Sequence, residues 1–337
     1  MPFSLYARKC RFYGSLYTLV MLDPRRLILL REVVRHGSFS QAAQALFLTQ
    51  PAVSRQIAKL EREAGVRLLE RTPTGLRLTD AGLVVLDRAE AIVGHLTAAE
   101  AELEAITTLG AGRLRLSAFP TVASTLVLDA IRLFRRRHPS VELTFVESGT
   151  TAGLQRLRAG EVDLAVAFRE RGHPAPSSWD GLHAEHLLVD PLWVALARGH
   201  RLASKDAIRL RDLRDDGWIQ AVRAGPAGIT YRACLAAGFE PRITALSDHA
   251  PITQGLVAAG VGVSLVSSLS MPQARKDIVI RPLKPAGPER DVFAVSLPGR
   301  LRPPAITAMV EILGELAPRY ERGRKSAAVR PSSVAAS

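Results

Sequence analysis

The sequence has few cysteines and no long apolar stretch. Cys10 and Cys234 are the only cysteines among 337 residues, too few for a disulfide framework or a cysteine-based metal site. No run of 18 or more apolar residues occurs, so no membrane span is predicted. These absences exclude a disulfide-rich secreted module and an integral membrane protein, and they suit a reducing cytoplasm.

Motifs for catalysis and cofactor binding are also scarce. His183 and His186 are three residues apart, but no acidic or cysteine set at ligand spacing joins them. Gly260 and Gly262 match half of a dinucleotide-binding fingerprint and lack its third glycine. No Gly-x-Ser-x-Gly nucleophile elbow occurs. We therefore predict no metal, no cofactor and no enzymatic activity.

Length and charge indicate what the chain does contain. It is longer than a typical domain of about 100 to 200 residues, so we expect two or three folded units. The formal net charge is +13, and residues 1–80 hold 13 Lys and Arg against 6 Asp and Glu, whereas residues 81–112 hold 1 against 5. The basic N-terminal region favours a polyanionic partner, although solubilising charge would give the same excess.

Residues 1–21 match no folded element. A basic cluster precedes a short apolar run, Leu16–Leu22, as in a signal peptide, but Asp23 follows where a small cleavage-site residue would be. We interpret residues 1–21 as a disordered extension, or as the result of assigning the start codon to Met1 instead of Met21.

The next segment predicts three short helices and two strands. Pro24–His36 and Ser38–Phe47 have helical patterns, and Gly37 separates them. Thr49 can cap a third helix, which ends at Gly65. The two strands, on either side of a turn, are Val66–Arg71 and Leu76–Thr79.

The third helix has an apolar side and a basic side. At about 100° per residue, Arg55 and Lys59 lie opposite an apolar row. That row is Val53, Ile57, Leu60 and Ala64. Arg can bind guanine, Gln adenine, and Ser either base, so the pattern predicts a helix-turn-helix whose third helix enters the major groove. A solvated basic face would give the same periodicity.

Asp80–Leu109 has the heptad pattern of a coiled coil. Seven apolar residues recur in register over three heptads, and glutamates keep the other faces polar. This narrow seam predicts a dimerisation helix; a single buried helix is the alternative. The seam residues are Val85, Ala89, Ile92, Leu96, Ala99, Leu103 and Ile106.

Strand and helix patterns alternate after a linker at Gly110–Gly112. Their βαβαβ order predicts a parallel sheet with helices on its faces. The first set is Leu114–Ala118, Thr125–Arg137, Val141–Glu147, Thr151–Ala159 and Val162–Phe168. The later elements are strands near Leu192–Ala197, Trp218–Ala221, Ile243–Leu246, Val261–Val266 and Val292–Leu297, a helix at Pro304–Leu316, and a disordered tail at Arg319–Ser337.

Several runs of residues within these elements are specific. In the first half they are Gly37–Ala43, Leu48–Ile57, Leu60–Glu61, Gly65–Arg71 and Leu78–Gly82. In these runs the chain closely resembles the LysR-type transcriptional regulators. Looser matches follow in the family's order at Arg113–Phe119, Phe134–Pro139, Leu157–Val166 and Leu256–Val263. The resemblance covers Leu22 to about Leu316, with Ala64 and Leu69 in place of a usual Leu and Phe.

The resemblance implies a multi-domain fold. An N-terminal all-α winged helix-turn-helix with a long linker helix precedes an α/β effector domain of two subdomains, similar to periplasmic binding proteins. The implied parts are the DNA-binding domain at 22–80, the linker helix at 81–110, subdomain I at 113–168 with 290–318, subdomain II at 169–289, and the tail at 319–337. The implied partners are promoter DNA, a small metabolite, RNA polymerase and further copies of the chain, as a homodimer or homotetramer.

The resemblance also implies site residues. Base contacts fall on Gln50, Pro51, Ser54 and Arg55, and phosphate contacts on Ser38, Lys59, Arg71 and Arg77. The effector lies between the subdomains, near Pro120, Thr121, Ser148, Gly149, Thr150 and Thr151. Hydroxyl groups and free N–H groups at a helix N-terminus suit an anion, although Thr150 and Thr151 could simply cap a helix.

A carboxylate-bearing effector is our hypothesis, with Arg169 and Arg223 as candidate partners that solvated arginines would equally explain. The alternative class is a solute-binding or enzyme-like α/β protein whose N-terminal helices only mediate assembly. It would need an export signal or a catalytic constellation, and the sequence shows neither.

Overall fold

The computed structural model describes residues 22–72, 75–107, 112–222, 228–298 and 302–329. The chain divides into two compact units, Met1–Thr97 and Ala98–Ser337. The predicted extension at residues 1–21 lies outside the described residues. Within the described ranges, no helix is long and apolar enough to cross a bilayer, and no cluster of His, Cys, Asp and Glu is placed to hold a metal ion.

Three helices and a two-stranded hairpin begin the first unit. They are α1 (Pro24–His36), α2 (Phe39–Ala45), α3 (Gln50–Ala64) and the antiparallel strands β1 (Leu69–Thr72) and β2 (Gly75–Leu78). The Asp23 carboxylate accepts a hydrogen bond from the backbone N–H of Arg25, and this caps α1. Side chains of all three helices share one core, which includes Leu27, Leu30, Val33, Ala42, Ala43, Val53, Ile57 and Leu60. This arrangement confirms the winged helix-turn-helix.

Helix α4 (Asp80–Thr107) follows the hairpin and carries the predicted heptad. Ala89 is fully buried in the core of the first unit, and Val85 packs against that core. The seam prediction is therefore wrong for Ala89, because the single chain already covers this side chain. Ile92 and Leu96 are 37% and 48% exposed. The remaining seam residues are Ala99, which is exposed, and Leu103 and Ile106, whose side chains lie outside the described part.

A seven-stranded mixed sheet forms the centre of the second unit. Its strands are β3 (Arg113–Ala118), β4 (Glu142–Glu147), β5 (Leu164–Glu170), β6 (His183–Ala197), β9 (Ser264–Ser267), β10 (Ile278–Arg281) and β11 (Glu289–Ser296). A separate parallel pair is formed by β7 (Gly217–Gln220) and β8 (Arg242–Leu246). The main order is β10-β6-β11-β5-β3-β4, and β9 pairs with β6. Strands β4, β3 and β5 are parallel, as the βαβαβ pattern predicts.

Helices cover the faces of this sheet. They are α5 (Pro120–Val122), α6 (Leu128–Arg137), α7 (Thr150–Arg158), α8 (Ile229–Ala236), α9 (Ala250–Ala258) and α10 (Pro304–Val329). A π-helical turn at Ala123–Val127 joins α5 to α6. The predicted helix at Thr125–Arg137 thus begins at Pro120, since proline is well tolerated at the first position of a helix. The core that α6 and α10 share with the sheet includes Leu116, Leu126, Phe134, Met309 and Leu313.

Strand β6 belongs to both halves of the sheet. Its first part, from His183, pairs with β11, and its second part, from Leu192, pairs with β9 and β10. The sequence prediction began this strand at Leu192 and placed all of 169–289 in subdomain II. The structure corrects the start of the strand to His183, because the polar residues His183, Glu185 and His186 concealed it. The subdomain boundary itself stays a prediction.

Helix α10 continues beyond its predicted end. The sequence predicted a helix to Leu316 and disorder from Arg319, whereas the structure is helical to Val329 with Pro318 inside the helix. Two tertiary contacts stabilise the added turns. The Tyr320 hydroxyl donates a hydrogen bond to Asp129 Oδ2 at 2.7 Å, and the Val189 backbone N–H donates one to Glu321 Oε1 at 3.1 Å. Residues 330–337 lie outside the described part.

Candidate nucleic-acid interface and effector site

Helix α3 presents its predicted polar side to solvent. Val53, Ile57 and Leu60 are buried in the helical core, and this fixes the rotation of the helix about its axis. The opposite side begins with exposed Gln50 and Pro51, continues through half-buried Ser54, and then bears exposed Arg55 and exposed Lys59. Base-reading and phosphate-binding groups are therefore carried together on one exposed helix.

Acidic side chains near α3 are occupied by contacts within the first unit. Glu61 Oε1 accepts hydrogen bonds from the backbone N–H groups of Leu68 and Leu69, at 2.8 and 3.2 Å. Glu63 forms an ion pair with Arg26. No Asp or Glu occurs between residues 33 and 60. The first half of α3 and the helix before it consequently form a surface without carboxylates, as contact with phosphates requires.

The predicted phosphate contacts are distributed over α2, α3 and the hairpin. Half-buried Ser38 precedes α2, where its Oγ accepts a hydrogen bond from Gln41 N at 3.1 Å. Arg71 lies on β1, and its side chain is outside the described part. Arg77 is exposed on β2, opposite Glu70 in the strand register. Thr49 occupies the N-cap position of α3 but makes no side-chain capping bond.

In the second unit, the predicted effector residues meet at one edge of the sheet. Pro120 opens α5 directly after β3, and Thr150 opens α7 directly after β4. Ser148 Oγ lies 2.5 Å from Ser117 Oγ, and the backbone N–H of Ser148 donates a hydrogen bond to Ala118 O at 3.0 Å. These residues surround the carboxyl ends of parallel strands, where open α/β sheets commonly bind ligands.

The N-terminus of α7 carries further groups of this site. Thr150 Oγ1 accepts a hydrogen bond from Phe168 N at 3.2 Å, which ties the end of β5 to the start of α7. Gly149 is the N-cap residue and has no side chain to bond the first N–H groups of the helix. Thr151 is exposed beside it. Backbone N–H groups at such an end favour a bound anion.

Two predicted arginines have different outcomes. The Arg169 guanidinium lies over the ring of Phe293, 4.6 Å from its centroid, so this side chain already has an aromatic contact. Arg223 lies outside the described residues.

A buried ion pair beside this edge was missed by sequence reasoning. Asp190 is fully buried on β6, and Arg290 of β11 is nearly so. Arg290 Nε donates to Asp190 Oδ2 at 3.0 Å, and Ser267 Oγ and Ser268 Oγ donate to the same carboxylate at 2.8 and 2.9 Å. Arg290 also donates to Thr121 Oγ1 at 3.1 Å, so a predicted effector residue is joined to this network. The sequence signal that could have revealed this ion pair is Asp190, a charged residue within an apolar strand.

Aromatic rings enclose the same guanidinium. Arg290 Cζ lies 4.5 Å from the ring centroid of Phe168 and 5.1 Å from that of Phe119. The two rings meet edge to face, with centroids 4.9 Å apart. Cation–π contacts and the buried carboxylate together hold Arg290 in one position.

Cys234 supplies no nucleophile to this unit at neutral pH. Its side chain is buried in the core near Trp218, and burial raises the pKa of the thiol to about 12. The thiolate, which is the reactive form, is therefore almost absent.

Comparisons with known proteins match both units. Residues 24–83 match the model of the bacterial regulatory helix-turn-helix proteins of the lysR family, and residues 108–318 match the LysR substrate binding domain. The transcriptional regulator AlsR of Bacillus subtilis is 30% identical over 264 residues, which cover 77% of this chain and 85% of AlsR. The DNA-binding dual regulator OxyR of Escherichia coli is 26% identical over 285 residues, covering 82% and 90% of the two chains.

Solved structures have the same fold. A full-length OxyR variant from Pseudomonas aeruginosa has a TM-score of 0.64 and 23% identity, covering 87% of this chain and 95% of that one. Full-length CbnR in complex with its target DNA has a TM-score of 0.56 and 23% identity, covering 88% and 99%. The arrangement of elements is therefore shared over nearly the whole length of these proteins.

Proposed function

Because the chain belongs to the LysR family of DNA-binding transcriptional regulators with an effector-binding domain, we propose that the exposed side of α3 selects its operator. The observation that carries this proposal is the solvent-exposed row from Gln50 to Lys59 within a stretch that lacks carboxylates. DNA, a small molecule and further copies of the chain are its partners. Its relatives are regulators and not enzymes.

Each side chain on α3 has a distinct proposed role. Arg55 reads guanine through O6 and N7, Gln50 reads adenine, and Ser54 accepts or donates at either base. Pro51 approaches the bases with its exposed ring, and its missing N–H costs nothing in the first turn of the helix. Lys59 neutralises a phosphate. Ser38, Arg71 and Arg77 add backbone contacts that position the helix and carry no sequence information.

Two substitutions on α3 separate these roles. We expect Arg55→Ala to reduce discrimination between operator and random DNA by about tenfold to a hundredfold, since a bidentate base contact contributes about 1–3 kcal/mol. Lys59→Ala should weaken both DNAs alike and lower the salt slope by about one unit. Fluorescence anisotropy with the intergenic duplex upstream of this gene and a random duplex of equal length measures both effects.

Arg62→Ala is the matched control for Arg55→Ala. Arg62 is exposed near the other end of α3, where its Nε donates to Ala58 O at 3.3 Å. It lies on the same side of the helix as Arg55 but away from the base-reading end, so its removal should leave discrimination within about twofold even where it weakens both DNAs alike. Equal discrimination by Arg55→Ala and the unaltered chain would contradict the base-reading role.

We also propose that the effector is a small carboxylate bound between the subdomains. Thr121, Ser148, Thr150, Thr151, the backbone of Pro120 and Gly149, and Arg169 and Arg223 are its proposed contacts. The free N–H groups at the start of α7 support an anionic ligand. Binding must favour one arrangement of the subdomains to act as a switch, and a useful coupling is about 1–3 kcal/mol.

The carboxylate proposal is tested with matched ligand pairs. A panel of metabolite carboxylates is screened by thermal shift, and each hit is compared with its neutral amide by isothermal titration calorimetry. We expect the amide to bind at least about tenfold more weakly, since it lacks the charge that the helix N-terminus favours. The same affinity for acid and amide would refute the proposal.

Self-association is proposed to use the outer part of α4. Ile92 and Leu96 are exposed apolar side chains at heptad spacing, and Ala99, Leu103 and Ile106 continue the pattern. Val85 and Ala89 are left out of this interface because they pack within the first unit. We propose a linker helix at 81–110 and assign His183–Asp190 to subdomain I. The other boundaries are proposed as predicted, except that α10 continues to Val329.

A further inference from the structure

Phe47 ends α2 in a backbone conformation that favours glycine. Its φ is +54°, and no other non-glycine residue in the described part of the chain has a positive φ. Phe47 N donates to Gln44 O at 3.2 Å, and Leu48 N donates to Ala43 O at 2.8 Å. This pair of bonds is a common helix ending in which the left-handed residue is usually Gly or Asn. The side chain at this position therefore costs the fold conformational free energy.

The side chain of Phe47 adds almost no stability to the fold of the single chain. It is 96% exposed, and the next residue, Leu48, is 46% exposed. A phenylalanine stabilises a protein mainly through the apolar surface that it buries, and this one buries almost none. A strained backbone and an unburied ring at one position indicate that the ring serves a contact outside the chain.

The position of Phe47 indicates the partner. Every residue from Phe47 to Pro51 is exposed, and Gln50 starts the helix proposed to read bases. The surrounding stretch from residue 33 to residue 60 has no Asp or Glu. The ring thus continues the proposed DNA interface. Within the major groove, the apolar group available to a phenylalanine is the C5 methyl of thymine.

We propose that Phe47 is a specificity-determining residue that packs on a thymine methyl group beside the bases read by α3. This inference rests on the proposed operator binding by α3. Phe47 would then discriminate thymine from cytosine through apolar contact, whereas Arg55 and Gln50 discriminate through hydrogen bonds.

Three variants of Phe47 test the proposal by separating backbone strain from apolar contact. Phe47→Gly and Phe47→Asn relieve the strain and remove the ring, so the melting temperature should stay equal or rise while affinity for the upstream intergenic duplex falls about fivefold to tenfold. The salt slope should not change, because no phosphate contact is lost. Phe47→Leu, the matched control, keeps an apolar side chain and the strain, and should bind within about threefold of the unaltered chain.

The DNA is changed in the complementary experiment. Deoxyuridine replaces each thymine of the footprint in turn, which removes one methyl group and nothing else. For the unaltered chain, we expect about fourfold weaker binding at one or two positions, the amount that burial of one methyl group contributes. For Phe47→Gly, the same replacements should have no effect.

Several results would overturn the proposal. Binding of the duplex by Phe47→Gly as tightly as by the unaltered chain would show that the ring makes no DNA contact. A lower melting temperature for Phe47→Gly would show that the ring stabilises the fold. A changed mass by light scattering would assign it to self-association. Failure of the unaltered chain to bind any genomic fragment would instead refute operator binding itself, before Phe47 is considered.

Discussion

The two candidate sites of this chain use their polar groups in opposite ways. On α3, Gln50, Arg55 and Lys59 extend into solvent from a helix that the core holds in place. At the edge of the large sheet, Thr121 and Ser148 are hydrogen-bonded to other protein groups. A surface that binds a large polyanion can remain open in the free protein. At the candidate small-molecule site, these polar groups already form hydrogen bonds within the protein. A ligand must therefore replace those hydrogen bonds or use the remaining capacity of the same groups.

Removing the Asp190 carboxylate should give the largest effect and would break the bonded network of the second unit. We expect Asp190→Ala to lower the free energy of unfolding of this unit by about 3–5 kcal/mol, because Arg290 would remain buried without its partner. Urea denaturation followed by tryptophan fluorescence measures it, since Trp179, Trp193 and Trp218 all lie in the second unit.

Two comparisons control this experiment. Asp190→Ala with Arg290→Met should be more stable than Asp190→Ala alone, because no buried charge is left unpaired. Arg55→Ala, at the open site, should change stability by no more than about 0.5 kcal/mol. A stable Asp190→Ala protein would show that the network does not hold the second unit together.

Ser38 sharpens the comparison within the first unit, because it both caps α2 and is proposed to meet DNA. Ser38→Ala should destabilise the protein by about 1 kcal/mol through loss of the cap. Ser38→Asp keeps a capping oxygen and should preserve the melting temperature, yet it places a negative charge near phosphate and should weaken all DNA binding severalfold. Equal DNA affinity for Ser38→Asp would place Ser38 away from the phosphates.

Tyr320 gives the smallest expected effect. Its hydroxyl bonds to Asp129, and burial raises the pKa of the phenol above its usual value, with that hydrogen bond as a further cause. Tyr320→Phe should lower the free energy of unfolding by about 0.5–1 kcal/mol, because only one hydrogen bond is lost and Asp129 stays partly hydrated. The tryptophan-detected urea transition again measures it. An unchanged midpoint would mean that α10 needs no anchor beyond Leu316.

Elements with local causes were predictable from the sequence. Helix α3 follows from the spacing of Val53, Ile57 and Leu60, and its end follows from Gly65. The hairpin follows from the turn residues between two short apolar runs. In each case the signal lies within about 20 residues, where periodicity and turn chemistry act.

Features with distant causes were not predictable. Asp190 meets Arg290 across 100 positions, and Arg290 meets Thr121 across 169. Ala89 matched a heptad but packs into the core that precedes it, and α10 passes its predicted end through contacts with Asp129 and Val189. Phe47 was taken only as the last residue of a helical run, since periodicity does not report a left-handed φ.

The shared strand β6 limits how the second unit can respond to a ligand. One uninterrupted backbone runs from the pairing with β11 into the pairing with β9 and β10. The pairing with β11 ends at Pro191, and the pairing with β9 begins at Leu192. A bend or twist of the strand at this junction would keep both sets of ladder bonds, so we expect any movement of one half against the other to pivot on these two residues.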